Sequence, residues 1–309
     1  MMKKSSVLTV CLSPTLQKTL VFSGLEKDKV NRSAVHRLDT AGKGINAARV
    51  LLQLGKNCCH LTQLGGALRP LFLELCAADG VKVEWVESSS PIRFCYTLID
   101  RTEKTITELV EESEKVGEGT GERLLQRFSQ IIPEYSSLII GGTKAAGFSD
   151  TLIPDMVRIA KSAGCRVLLD IRGKDLLNSL PFGPDIIKPN LNEFLSTFAP
   201  ELVSQKKSLT EKEIKKRAEE IWAQVYKEYP CTLVLTRETE PVWYAEKGVF
   251  SEFPVKPVEP VNTTGSGDAF TAGLAAALED GAPLQEAIAL GARCGAMNAV
   301  LLRPGVIKQ

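Results

Sequence analysis

Val261-Asn262-Thr263-Thr264-Gly265-Ser266-Gly267-Asp268-Ala269-Phe270, continuing as Thr271-Ala272-Gly273-Leu274-Ala275-Ala276-Ala277-Leu278, passes from small, flexible residues into a dense run of helix formers. The change places residues 265–268 at a helix N-terminus. There the first amides have no internal partner, and the aligned peptide dipoles leave partial positive charge. Gly265 and Gly267 carry no side chain to hold an anionic oxygen off those amides, so the stretch reads as a cradle for a phosphate or oxyanion. Asp268 is ordinarily a helix-start residue; within one turn of a held phosphoryl group it can also accept a proton from an attacking hydroxyl. The dipole that favours its anion also makes it a weak base. The motif is not the dinucleotide fingerprint, because Phe270 stands where the third glycine belongs. It has no P-loop companion either, since Gly42-Lys43-Gly44 lacks the upstream glycine and the following hydroxyl.

Outward from this stretch, strands and helices alternate. Residues 7–12 read as a buried strand, and 41–55 as a glycine-rich turn feeding an amphipathic helix with a glycine stop. Strand 58–64, helix 69–79 and strand 83–86 follow; the acidic stretch 111–121 reads as a solvated loop. Helix 121–131, strand 137–141, helix 150–163 and strand 166–170 come next. Strand 186–187 and helix 191–198 precede a Lys/Glu-rich stretch at 204–217 that opens a helix through 226. Strands 232–236 and 242–245 and helices 265–279 and 283–300 close the series. This alternation implies an α/β fold, a parallel sheet covered by helices on both faces. Segments 15–38, read as short exposed strands, and 92–110, read as a hairpin, stand outside it and suggest a small β lid over one edge. Ligands of such sheets bind beyond the C-terminal strand ends, where residues 42–46, 141–147, Asn190 and 265–268 all fall.

The 309 residues carry 38 Lys plus Arg against 37 Asp plus Glu, so nothing draws the chain to nucleic acid or an anionic membrane, and any phosphate site must be local. Eight scattered cysteines without a C-x-x-C pair suit reduced thiols in the cytoplasm rather than disulfides or zinc. Only two histidines occur, neither with a metal-type partner, which disfavours a zinc hydrolase or a His-based triad. The N-terminal apolar run is too short for a signal peptide, and no stretch approaches membrane-spanning length.

Three features stand in order: Asp39-Thr40-Ala41-Gly42-Lys43-Gly44-Ile45-Asn46-Ala47-Ala48-Arg49-Val50-Leu51, then Ile187-Lys188-Pro189-Asn190-Leu191-Asn192-Glu193, then Thr264-Gly265-Ser266-Gly267-Asp268. Their order and spacing resemble the PfkB (ribokinase-like) carbohydrate kinases over essentially the whole chain, in particular the branch phosphorylating sugar phosphates (1-phosphofructokinase and tagatose-6-phosphate kinase). The resemblance implies a ribokinase-like three-layer sandwich with a mostly parallel sheet, a single kinase domain across residues 1–309, and phosphoryl transfer from ATP to a sugar hydroxyl with Mg²⁺. It assigns Asp268 as base and Gly265, Ser266 and Gly267 as the anion hole. Gln17, Gly42, Lys43, Gly44, Asn46, Arg93 and Lys144 fall on the sugar side, with Lys43, Arg93 and Lys144 offered to a substrate phosphate. Lys188, Asn190, Glu193, Thr236, Thr264, Gly265, Gly267 and Asn298 fall on the nucleotide side. Asn190 and Glu193 would order Mg²⁺ through water, although as a pair they also satisfy a helix capping box. Relatives often dimerise through their lids, which is the expectation here.

The chain departs from the family at four places. Ser13-Pro14-Thr15-Leu16-Gln17 replaces a stretch whose aspartate contacts sugar hydroxyls, Cys95 replaces a common asparagine, and Gly141-Gly142-Thr143-Lys144-Ala145-Ala146-Gly147 replaces a Ser-Gly-Ser-Leu-Pro segment. On the nucleotide side, Thr236-Arg237-Glu238-Thr239-Glu240-Pro241 occupies the place of a glycine-containing turn. The expected activity is therefore a kinase for a phosphorylated ketohexose. A kinase for a free sugar or nucleoside and a non-catalytic sugar-phosphate sensor stand as alternatives.

Overall fold

The computed structural model of the chain describes residues 6–205 and 208–308. From the start, β1 (Ser6–Val10), β2 (Thr15–Phe22), β3 (Val35–Ala41), α1 (Lys43–Gln53), β4 (Asn57–Leu64), α2 (Arg69–Ala78), β5 (Lys82–Glu87), β6 (Arg93–Asp100) and β7 (Thr105–Val110) follow one another. Next come α3 (Thr120–Ile131), β8 (Ser137–Gly141), α4 (Leu152–Ser162), β9 (Arg166–Asp170), α5 (Gly173–Ser179), β10 (Ile186–Ile187), α6 (Leu191–Phe198) and α7 (Pro200–Gln205). The last are α8 (Glu211–Glu228), β11 (Thr232–Arg237), β12 (Glu240–Glu246), β13 (Val249–Phe253), α9 (Ser266–Glu279) and α10 (Leu284–Ala299).

Nine strands form one sheet in the order β13-β12-β11-β10-β9-β8-β1-β4-β5, parallel from β11 through β5, with β12 and β13 added antiparallel at one edge. The parallel strands are nearly continuous apolar runs because both faces are covered. Alternate residues serve opposite layers: Leu138 and Ile140 pack with Phe128 of α3, Met156 of α4 and Trp222 of α8, whereas Ile139 packs with Val50 of α1, Leu274 of α9 and Ile288 of α10. The mostly parallel sheet between two helical layers agrees with the sequence reading.

The second sheet has four strands in the order β3-β2-β6-β7, with β2 and β6 parallel. It corrects the reading of 15–38 as exposed strands: β2 is largely buried, and its partner β3 runs on to Ala41. Buried Thr15, Gln17 and Thr19 gave β2 a polar look, yet Gln17 Nε2 donates to Thr97 Oγ1 across the sheet at 2.6 Å. The face bearing Asp39 and Glu108 turns toward the main body, where Glu108 accepts a hydrogen bond from Thr264 Oγ1 at 2.9 Å and Asp39 pairs with Arg303 at 2.7 Å. Strand β13 and the short helices α5 and α7 were not expected, and α8 begins at Glu211, capped by Thr210, rather than within 204–210. No helix among the described residues is long and apolar enough to cross a membrane.

Candidate active site

At the C-terminal ends of the parallel strands, the loop into α9 meets β9, α1 and α6. Gly265 takes the left-handed conformation at φ 83° and caps α9 without a side-chain hydrogen bond, so no side chain claims the first-turn amides. A side chain there would meet the Gly305 amide at 2.8 Å, so glycine is required as much by the C-terminal turn as by any anion. Asn298 ties these parts together. Its Nδ2 donates to the Thr264 carbonyl and Ser266 Oγ, and its Oδ1 accepts from the Gly305 and Val306 amides. With both ends of its amide engaged, Asn298 shapes the loop from behind.

Asp268, in the first turn of α9, is buried and accepts a hydrogen bond from Asn46 Nδ2 at 2.8 Å. Burial first, and then the neighbouring Asp170 carboxylate, push its pKa up to about 6, against the pull of Lys43, Asn46 and Lys188. This corrects the weak base expected from the helix dipole alone. Asp170, the last residue of β9, was missed from sequence. It accepts from Lys43 Nζ at 2.7 Å and from Thr271 Oγ1 at 2.8 Å, and it pairs with Lys188 Nζ at 3.0 Å. Burial alone would raise it, but the Lys188 and Lys43 ammonium groups outweigh that and hold it at about 2. Lys43 also reaches Glu193 Oε1 at 3.1 Å; burial would lower its pKa, and Asp170, Glu193 and Asp268 together raise it well above the usual lysine range.

Several expected ligands are therefore engaged within the protein. Lys188 is buried against Asp170, with the Phe270 ring 6.0 Å away. Asn46 is held between Asp268 and Arg49, whose Nη1 donates to its Oδ1, and so orients the base rather than reading a hydroxyl freely. Gly44 packs its backbone under His60 and Val10, within 2.8–3.0 Å of any added side chain, so it lets α1 approach the sheet. Lys144 is locked to Asp150 and Asp175, and Gln17, a lid residue on β2, is bonded to Thr97 of β6.

What remains open is a cavity of about 370 Å³ bounded by Cys11, Ser13, Gly42, Lys43, Arg93, Glu108, Val110, Gly142, Thr143, Asp170, Ile171, Arg172 and Glu193. Arg93 spans its rim, donating from Nε to Thr15 Oγ1 and from Nη1 to the Glu111 carbonyl. Arg172 was not singled out in the sequence. A second hollow, of about 400 Å³, includes Asn190, Glu211, Thr236, Arg237, Glu238, Glu240 and Trp243. Arg237 stacks on Trp243 with 3.7 Å to the ring centroid and pairs with Glu211 at 2.5 Å, and Glu238 adopts φ 57° where the turn demands a left-handed residue.

Asn190 and Glu193 close a reciprocal capping box: Asn190 Oδ1 accepts from the Glu193 amide, and Glu193 Oε2 from the Asn190 amide. Among the described residues no three His, Cys, Asp or Glu side chains gather around a common point. That donor set does not suit an all-protein metal cage. It does suit Mg²⁺ carried mainly by phosphates and waters, with one carboxylate nearby.

The chain matches the family described as pfkB family carbohydrate kinase over residues 17–307. It is 24% identical over 303 residues to a tagatose-6-phosphate kinase of Staphylococcus epidermidis, covering 97% of this chain and 94% of that protein. A structure described as a possible 1-phosphofructokinase of Thermotoga maritima superposes with a TM-score of 0.84 at 20% identity, covering 96% of this chain and 93% of the other. Phosphofructokinase-2 of Escherichia coli in complex with fructose-6-phosphate gives a TM-score of 0.81 at 20% identity, covering 96% and 94%. The buried aspartate at an uncapped helix start, the lid and the match along nearly the whole sequence agree: this chain belongs to the pfkB family and is a carbohydrate kinase.

Proposed function

We propose that this kinase transfers the γ-phosphoryl group of ATP to a hydroxyl of a phosphorylated ketohexose, with Asp268 as general base. The observation that carries the reading is the buried Asp268, oriented by Asn46 in the first turn of α9 and with a pKa of about 6. A base of that strength is largely deprotonated at neutral pH and still accepts a proton. The acceptor O–H gives its proton to Asp268 as its oxygen forms the new bond to γ-phosphorus. The bond from that phosphorus to the β,γ-bridging oxygen breaks, and ADP leaves with the electron pair. The Gly265, Gly267 and Asp268 amides would face the charge on the transferring group, the Ser266 amide being bonded to the Thr263 carbonyl. Mg²⁺, when bound, neutralises phosphate charge; Asn190 and Glu193 would hold it through water.

The substrate class is supported by the tagatose-6-phosphate kinase relative, by the fructose-6-phosphate complex of the structural neighbour, and by arginine at the cavity rim. The lid, part of one kinase unit with the main body, shuts water from the reacting groups. Its outer face carries half-buried Leu20, Tyr96 and Leu98 with exposed Leu109, a surface fit for a second lid in a homodimer.

ADP release from ATP and Mg²⁺ across free sugars, sugar monophosphates and nucleosides, with Asp268→Ala alongside, tests the reading. Turnover of a phosphorylated ketose that is lost in the variant is expected. Turnover confined to a free sugar or nucleoside overturns the substrate class, and ligand binding without any turnover overturns the catalytic role.

A further inference from the structure

We infer that Arg172 is a specificity-determining residue of this kinase, forming with Arg93 a two-guanidinium clamp for the phosphate already on the acceptor. The inference rests on the reading that the acceptor is phosphorylated. It follows from the charges on the cavity wall. Three carboxylates and three cations line that wall; the carboxylates and Lys43 are engaged with other protein groups, Arg93 only with uncharged oxygens. Asp170 is engaged by Lys43, Lys188 and Thr271, Glu193 by Lys43 and its own helix cap, and Glu108 by Thr264. Lys43 is correspondingly taken up by two carboxylates.

Arg93 uses Nε and Nη1 on uncharged oxygens, which leaves its charge uncompensated and Nη2 outside those bonds. Arg172 is exposed, follows directly on Asp170-Ile171 at the end of β9, and lines the same cavity as Arg93. Lys144, the other basic group expected on this wall, is held by Asp150 and Asp175 and does not line the cavity. The six charges of the wall sum to zero, but its two guanidinium groups stand in no ion pair among the described residues, and they are planar donors well matched to a dianionic phosphate. Arg93 is braced by Thr15 and the Glu111 carbonyl and fixes one side; Arg172 supplies the other from the main body, so substrate phosphate would bridge lid and sheet.

The test uses the full-length enzyme with whichever phosphorylated ketose it turns over. Arg172→Ala is expected to raise KM for that acceptor by roughly ten- to a hundredfold, with kcat and KM for ATP changed less than about twofold. Arg172→Lys should recover part of the loss, since charge returns without the bidentate fork. Inorganic phosphate should compete with the acceptor in the wild type and weaken as an inhibitor in Arg172→Ala. An acceptor KM within about twofold of wild type in a folded Arg172→Ala variant overturns the clamp and leaves the kinase reading standing. A wild-type enzyme that phosphorylates only uncharged acceptors overturns both.

Discussion

Two charged regions lie on either side of the first turn of α6, and they behave in opposite ways. Beneath the proposed base, Lys43, Lys188, Asp170 and Asp268 share a largely dry space, and the two carboxylates are driven apart to about 2 and about 6. At the β11–β12 turn, Arg237, Glu211, Glu238 and Glu240 have a similar mix of signs, but the glutamates are exposed to water. Residue type is nearly constant between the two. Burial decides whether a charge becomes a tuned chemical group or a solvated rim, because the effective dielectric separates strong coupling from weak.

The largest effect expected is at Asp268. Asp268→Asn should lower kcat by roughly 10²–10⁴-fold, and the wild-type log kcat should fall with unit slope as pH drops through about 6. Stability should move the other way. Because the folded pKa lies above the ordinary carboxylate value of 3.8, the stabilising contribution is full below that value and lost as pH rises through about 6. The asparagine variant should therefore be the more stable protein at pH 8, by about 3 kcal/mol, in denaturant titration. A variant that keeps activity, or a flat acid limb, would show that the dry region does not tune the base.

Next in size is Lys188→Met, which leaves Asp170 with Lys43 as its remaining ammonium partner. A loss of about 3 kcal/mol is expected by chemical denaturation at pH 7. The loss should shrink as pH falls through about 2, where the Asp170 carboxylate becomes protonated. The smallest effect belongs to the wet region: Glu240→Ala, at an exposed position, should cost under about 1 kcal/mol and leave KM for ATP within about threefold. A large loss there would erase the contrast.

The dry region was also the harder one to read. Gly265, Asp268, Lys43 and Asn190 stand in runs with local grammar, a helix start after small residues, and the alternation of strand and helix put them at one sheet end. Asp170 offered only a carboxylate after Val167-Leu168-Leu169, and its position closing a parallel strand was the one signal available. Arg172 was hidden for the same reason. The candidates Asn46, Lys188, Lys144 and Asn298 have internal partners that the sequence did not show, because residue type does not reveal which neighbour claims a side chain. The lid was legible as strands, yet its burial was not, because Gln17 and Thr19 look solvent-facing until a sheet covers them. β13 escaped because Val249-Phe250-Ser251-Glu252-Phe253 is a partly exposed edge with no apolar run.

The junction of Asp39 with Arg303 has a mechanical consequence. Arg303 also holds Asp79, and Arg49 clamps Asp79 from α1, so strand β3 is bolted at its base to two helices and the C-terminal turn. Far along the same sheet, Glu108 meets Thr264 by one hydrogen bond near the surface. A lever fixed at one end by a cluster of largely buried ions, and at the other by one hydroxyl and the exposed Lys104–Glu259 pair, is free at that weaker end. The small sheet should swing from β3 as its fulcrum, so that β7 travels farthest and the cavity opens first where Arg93 and Val110 form its outer rim.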